Sequence, residues 1–187
     1  MPPARPGCQS DPVNDALPDA ESARTLVLMR HGRASQEGSD FDRHLEPEGR
    51  DAAVEAGRWL AGRGIGADAA IVSAARRAFG TWAALRDGAG WQVEPDVDRA
   101  LYHADPESAL DLVRLVGDDV TSLVVVGHNP TVASLAQLLD DGEGDLEAGI
   151  AMAGGFPPGS LAVFSYDGSW ADLGWADAEL LAFRSGS

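Results

Sequence analysis

Three short uninterrupted apolar runs, each closed by polar residues and each followed by a stretch of helical periodicity, constrain this chain more than anything else in it. They are Thr25-Leu26-Val27-Leu28-Met29, Ala69-Ala70-Ile71-Val72 and the segment Ser122 to Val126. A strand wet on one side alternates apolar with polar residues, so a run without alternation marks a strand covered on both faces. Behind the first run, Ala53, Ala56, Trp59 and Leu60 recur at helical spacing between Pro47 and Arg63, with Glu48, Arg50, Asp51, Glu55 and Arg58 opposite. Helical stretches follow the second run, through Leu85 with Ser73 as N-cap, and the third, from Val132 to Leu139. A further helix is expected from Pro106 to Val116. Parallel neighbours need crossover connections, usually helices. The pattern predicts an α/β fold, a three-layer αβα sandwich around a mainly parallel central sheet. Trp91 to Glu94 reads as a short edge strand before Pro95 and Gly142 to Gly159 as a Gly/Pro-rich loop. Leu161 to Tyr166 and Trp170 to Phe183 read as two closing strands.

At 187 residues the length suits one domain. Residues 1–23 carry Pro2, Pro3, Pro6, Pro12 and Pro18 among small and polar residues, the composition of a disordered leader, so the ordered domain is expected over 24–187. The leader has no apolar run of signal-peptide length, and no stretch approaches the ~20 apolar residues of a membrane span. A lone cysteine, Cys8, excludes an internal disulfide and a cysteine-based zinc cluster and fits a reducing, cytoplasmic setting. With 30 acidic against 14 basic residues the formal charge is −16, which argues against nucleic acid or an anionic membrane as partner. All 14 basic residues are arginine, so Schiff-base chemistry and a Walker phosphate loop, which need an amine, are excluded. Guanidinium groups remain available for phosphate.

Ligands of an open parallel sheet bind beyond the carboxyl ends of its strands. The first run ends in Arg30-His31-Gly32, the second in Ser73-Ala74-Ala75-Arg76-Arg77 and the third in Gly127-His128-Asn129-Pro130. Two histidines and up to three arginines are thus expected on one rim. Such a set suits phosphoryl transfer, in which charge spread over three equatorial oxygens needs positioned cations. A neutral imidazole can attack phosphorus and hold the phosphoryl group as an N–P intermediate. Gly32 would let the backbone pass close to the oxyanion, and the second histidine could donate to its oxygens. The four histidines, His31, His44, His103 and His128, lack helical i, i+4 spacing and an accompanying carboxylate set, so no metal or cofactor is expected.

These residues resemble the histidine phosphatase, or phosphoglycerate-mutase-like, superfamily. The resemblance rests on Leu28-Met29-Arg30-His31-Gly32-Arg33-Ala34, on Asp42-Arg43-His44-Leu45 with Gly49, on Val72-Ser73 with Arg77-Ala78 and Thr81, and on Val126-Gly127-His128-Asn129-Pro130. The short form, the RHG-x-A start and the G-H-N-P ending are most similar to SixA-type phosphohistidine phosphatases. The resemblance implies a phosphoglycerate-mutase-like fold, His31 as nucleophile, Arg30 and Arg77 as phosphate arginines and His128 as the second histidine. Arg77 is in register with the family's second arginine, which leaves Arg76 as a surface neighbour. Ala74 stands where the family has proline. Arg43 falls where the SixA-like pattern has an arginine that reaches phosphate; a surface ion pair with Asp40 or Asp42 is the alternative reading.

Larger members of the superfamily protonate the leaving group with a carboxylate, for which SixA-like members lack a clear equivalent. The segment Asp98 to Pro106 offers His103 or Asp105, with Asp105 as a helix N-cap the competing reading. A phosphoramidate nitrogen leaves more easily than an alkoxide, so a weak or missing acid favours phosphohistidine as substrate. The expected activity is metal-independent hydrolysis of a phosphohistidine, or a phosphomonoester, through phospho-His31. Partners are then a phosphorylated protein or a small phosphorylated metabolite. The alternatives are a metabolite phosphatase of the same superfamily and a phosphate- or phosphoprotein-binding module without turnover.

Overall fold

The computed structural model describes residues 23–186, and the expected leader, with Cys8, lies outside them except for Ala23. The three apolar runs form β1 (Arg24–Arg30), β2 (Ala69–Ser73) and β4 (Ser122–Gly127). They alternate with α1 (Pro47–Ala61), α2 (Arg76–Ala89), α3 (Pro106–Arg114) and α4 (Thr131–Leu139). A short β3 (Asp96–Asp98), α5 (Leu146–Ala153), β5 (Leu161–Tyr166) and β6 (Glu179–Arg184) complete the chain. The sheet order is β3-β2-β4-β1-β5-β6. Pairings from β3 to β1 are parallel, whereas β5 and β6 are antiparallel, so the expectation of a mainly parallel sheet holds for one side only.

The absence of alternation in β1 and β4 has its cause in two cores. Leu26, Leu28, Leu123 and Val125 face α3, α4 and the tail, packed with Leu110, Leu135 and Trp170. Val27, Met29, Val124 and Val126 face α1 and α2, packed with Leu60, Trp82 and Leu85. The sheet is therefore the middle of three layers. The helices α1 and α2 touch backbone to backbone: a Cβ on Gly57 would stand 2.1 Å from the Leu85 carbonyl oxygen, and one on Gly88 2.1 Å from that of Val54. Glycine is required there for close approach.

Four local expectations are corrected. The edge strand is Asp96–Asp98, beyond Pro95, and not Trp91 to Glu94; proline has no N–H for the ladder, and pairing with β2 begins after it. Ser73 ends β2 and caps no helix, since α2 begins at Arg76 behind Ala75. The Gly/Pro-rich stretch holds α5, whose Asp145 accepts from the Ala148 N–H at 2.7 Å. Trp170 belongs to a 3-10 turn, Trp170–Asp172, that seats its fully buried indole with Nε1 donating to the Val120 carbonyl, 2.8 Å. Among the described residues no helix is long and apolar enough to cross a membrane.

Candidate active site

Strand register brings the two histidines together. In the parallel pair β1–β4, Arg30 is opposite Gly127, so the next residues on each strand, His31 and His128, emerge side by side. The His31 N–H continues the ladder to the Gly127 carbonyl at 3.0 Å, and the ring centroids stand 5.0 Å apart. The helices after β1 and β4 pack on opposite faces of the sheet, which opens a crevice between adjacent strand ends, the usual ligand position in such sheets. A cavity of about 370 Å³ lies there, with Arg30, His31, Asp40, Arg43, Arg77 and His128 among its lining.

The ring of His31 is oriented by its neighbour. Nδ1 lies 2.7 Å from the Gly32 carbonyl oxygen, which only accepts, so the proton sits on Nδ1 and the lone pair on Nε2. Nε2 receives the Arg77 Nε–H at 3.1 Å. Gly32 thus serves the site through its carbonyl. Its N–H donates to Thr81 Oγ1 at 3.0 Å, and a Cβ there would meet the Gly49 carbonyl oxygen at 2.9 Å. The glycine is thus needed for contact with α1, and its amide is engaged by Thr81, while Gly32 also lines the cavity.

Arg77 is nearly buried and organises the centre. Its Nε and Nη2 form one edge of the guanidinium fork, directed at His31 Nε2 and, at 3.3 Å, at His128 Nδ1. Guanidinium only donates, so His128 Nδ1 is the accepting nitrogen and its Nε2–H donates to the fully buried Ser73 Oγ at 2.7 Å. The other end of the fork is held by Asp40, through its carbonyl oxygen to Nη1 and through Oδ2, 3.0 Å from Nη2. Arg43 and the Tyr102 hydroxyl also donate to the Asp40 carboxylate. Arg30 Nη1 donates to the Phe156 carbonyl oxygen at 2.9 Å, while the buried Nε–H groups of Arg30 and Arg43 find no acceptor among the described residues. Unpaired buried donors beside two imidazoles make a setting for an anion.

Electrostatics keep both rings neutral. Burial, then the neighbouring Arg77 and Arg30, lowers His31 to about 4, against the opposing pull of the Gly32 carbonyl. Burial, then His31 and Arg77, lowers His128 to about 3. The Tyr102 hydrogen bond and the arginines hold the Asp40 carboxyl well below its ordinary range.

Of the residues expected from sequence, Arg30, His31, Gly32, Arg43, Arg77 and His128 all line the cavity, and Arg76 is exposed outside it. His103 and Asp105 do not line it. His103 is exposed with its ring against Tyr102 at 4.2 Å, and Asp105 caps α3 by accepting from the Ser108 N–H at 2.8 Å. Arg43 combines both readings, lining the cavity while paired with Asp40 and not Asp42. Sequence reasoning missed Asp40, Tyr102 and Ser73 as members of the cluster. For Asp40 a signal existed, its position three residues before Arg43. Among the described residues no group of three or more His, Cys, Asp or Glu is arranged to hold a metal ion.

Comparison with known proteins agrees with this geometry. Residues 26–105 match the family model of the histidine phosphatase superfamily (branch 1). The chain is 35% identical over 159 residues to the uncharacterized protein Rv1276c of Mycobacterium tuberculosis strain H37Rv, covering 83% of this chain and 98% of that one. The Nakamurella multipartitia structure provisionally named phosphohistidine phosphatase SixA superposes with a TM-score of 0.77 at 36% identity, over 90% of this chain and 99% of that one. A protein of Agrobacterium tumefaciens, given the same provisional name, superposes with a TM-score of 0.69 at 28% identity, over 87% and 97% of the two chains. With its phosphoglycerate-mutase-like fold and its paired histidines on adjacent strand ends, the chain belongs to the histidine phosphatase superfamily, in the SixA-type group.

Proposed function

We propose that this phosphatase hydrolyses phosphohistidine through a covalent phosphoryl group on His31 Nε2. The observation that carries the reading is the Nε/Nη2 edge of Arg77, directed at the gap between His31 Nε2 and His128 Nδ1. A phosphoryl dianion offers that edge far more negative charge than neutral imidazole does. The fork therefore transfers to the phosphoryl oxygens, and the Nε2 lone pair is freed to attack. The proton retained on Nδ1 by Gly32 makes the phosphorylated ring an imidazolium, which leaves readily in the second displacement. Arg30 and Arg43 add unpaired N–H donors, and the phosphoryl charge draws a proton onto His128 Nδ1, turning it into a donor.

Phosphohistidine is favoured because neither His103 nor Asp105 lines the cavity, and the carboxyl that does, Asp40, is held well below its ordinary range and so has no proton to give a poor leaving group. The provisional names of the Nakamurella and Agrobacterium proteins support the same substrate. Arg33, exposed at the mouth and ion-paired through Nε with Glu46 at 2.8 Å, leaves the outer edge of its guanidinium open to a phosphorylated protein partner. The lone cysteine in the sequence supports a cytoplasmic setting. A second reading, a small phosphomonoester, is supported by the cavity volume, which lies within the range of small-molecule sites.

The test mixes enzyme with a ³²P-phosphohistidine protein, quenches in detergent at alkaline pH, and looks for label on the enzyme that survives base and is lost in acid, as an N–P bond requires. Wild type should carry label and His31→Ala none. Absence of label from wild type supports the binding module, and faster release from sugar phosphates than from phosphohistidine supports the second reading.

A further inference from the structure

Asp40 is the one carboxylate lining the cavity among the described residues, and nothing above gives it a chemical task. Around the Arg77 guanidinium the contacts run in order: His31 Nε2 on Nε, His128 Nδ1 on Nη2, and then Asp40 at the adjoining end, with Oδ2 on Nη2 and the carbonyl oxygen on Nη1. A phosphoryl group gripped by the Nε/Nη2 edge has His31 beside Nε and the Asp40 carboxylate beyond Nη2. In-line displacement needs this order, with the leaving nitrogen and the entering oxygen on opposite sides of phosphorus. We propose that Asp40 is a catalytic residue, the general base that takes a proton from the water attacking phospho-His31.

The inference rests on the phosphoenzyme reading above. The water oxygen forms a bond to phosphorus while the P–Nε2 bond breaks, and the bonding pair returns to Nε2. One water proton passes to the Asp40 carboxylate and the other stays on phosphate, released as HPO4²⁻. His31 is left neutral, with its proton on Nδ1.

The surroundings of Asp40 suit that task. Its carboxylate is held by Arg77, Arg43 and the Tyr102 hydroxyl, the charged and titratable groups in contact with it. Two of the three are arginines that a phosphoryl group engages, so loading the site loosens the hold on the carboxylate and raises its basicity. The side chain is 54% exposed while Arg77 is 5% exposed, so the proton taken from water has a direct path to solvent. Asp40 lies in the loop between β1 and α1, not on a helix or strand, which lets the carboxylate withdraw from Arg77 as phosphate enters.

The test compares wild type with Asp40→Asn, which retains shape and an acceptor for Arg77 but no base. Label transfer from ³²P-phosphohistidine protein should survive within a few-fold, while loss of label slows by about 100-fold, the usual contribution of a general base. Phosphoenzyme then accumulates and kcat falls. Formate added to Asp40→Ala should restore turnover. If Asp40 were only an anion competing for Arg77, Asp40→Asn would lower KM without slowing label loss, and formate would inhibit; either result overturns the proposal. A wild type that never takes label defeats the phosphoenzyme reading instead, whereas a labelled wild type matched by an equally fast Asp40→Asn defeats this inference alone.

Discussion

The nucleophile must carry its lone pair, so the ionisation of His31 sets the acid limit of the enzyme. An imidazole with an ordinary constant of about 6.5 would be only about 3% neutral at pH 5. Burial beside Arg77 and Arg30 lowers His31 to about 4, at which about 90% is neutral at pH 5. The two cases differ by about 30-fold in reactive enzyme at that pH. The assay is titration of the imidazole Cε1 protons by NMR, with the His31 resonance assigned by its loss in His31→Asn. Because His31 and His128 face each other across 5.0 Å, they titrate as a coupled pair, so the expected observation is a first midpoint near 4 followed by a second below it. The same shift makes a stability statement. The unfolded chain takes up these protons from pH 6.5 downwards while the folded protein resists until about 4, so stability is full above 6.5 and declines through that window. For His31 the loss amounts to up to about 3 kcal/mol. A midpoint between 6 and 7 for His31 would refute the burial argument.

Two further outcomes separate structural from chemical roles. Asp105→Ala should lower the midpoint in urea by removing the α3 cap, with kcat unchanged; a large loss of kcat would return Asp105 to the chemistry. Gly57→Ala gains about 1 kcal/mol in helix propensity but sets a methyl 2.1 Å from the Leu85 carbonyl oxygen, a backbone atom that cannot step aside. Overpacking of roughly 1–3 kcal/mol should win and lower the melting temperature. An unchanged or higher melting temperature would show that α1 and α2 separate freely.

The central strands and the residues at their ends were legible because burial on both faces leaves a mark in the sequence. Val27 and Leu28 face different cores, so neither position tolerates a polar residue, and the run stops where Arg30 and His31 reach the rim. The edge strand Asp96–Asp98 leaves no such mark, because Asp96 and Val97 are exposed and only Asp98 is partly covered. The helix Leu146–Ala153 was hidden by glycines, since composition records the flanks and not the Asp145 cap inside them. Among site residues, His31 and His128 could be placed by their distance from strand ends, whereas Arg77 is told from Arg76 only by its register in the family resemblance. Tyr102 could not be placed, because it reaches the site only through its contact with Asp40, 62 residues away; Asp40 had its spacing to Arg43 as a signal, and Ser73 stood at a strand end but reads there as a helix cap until its contact with His128 is seen.

The β1–β4 register has a consequence for where the molecule can open. β1 is hydrogen-bonded to β4 on one side and β5 on the other, so amides around Val27 and Met29 exchange with deuterium only when the whole sheet comes apart. The Gln36–Ser39 stretch lies outside helix and strand, with the Glu37 N–H held only by the Ser35 hydroxyl, so its amides should exchange by local excursions. The nucleophile is therefore anchored at the end of a doubly paired strand and the carboxylate proposed to activate water in a loop outside the sheet, so a hydrogen-exchange map should divide the site between the two halves of its reaction.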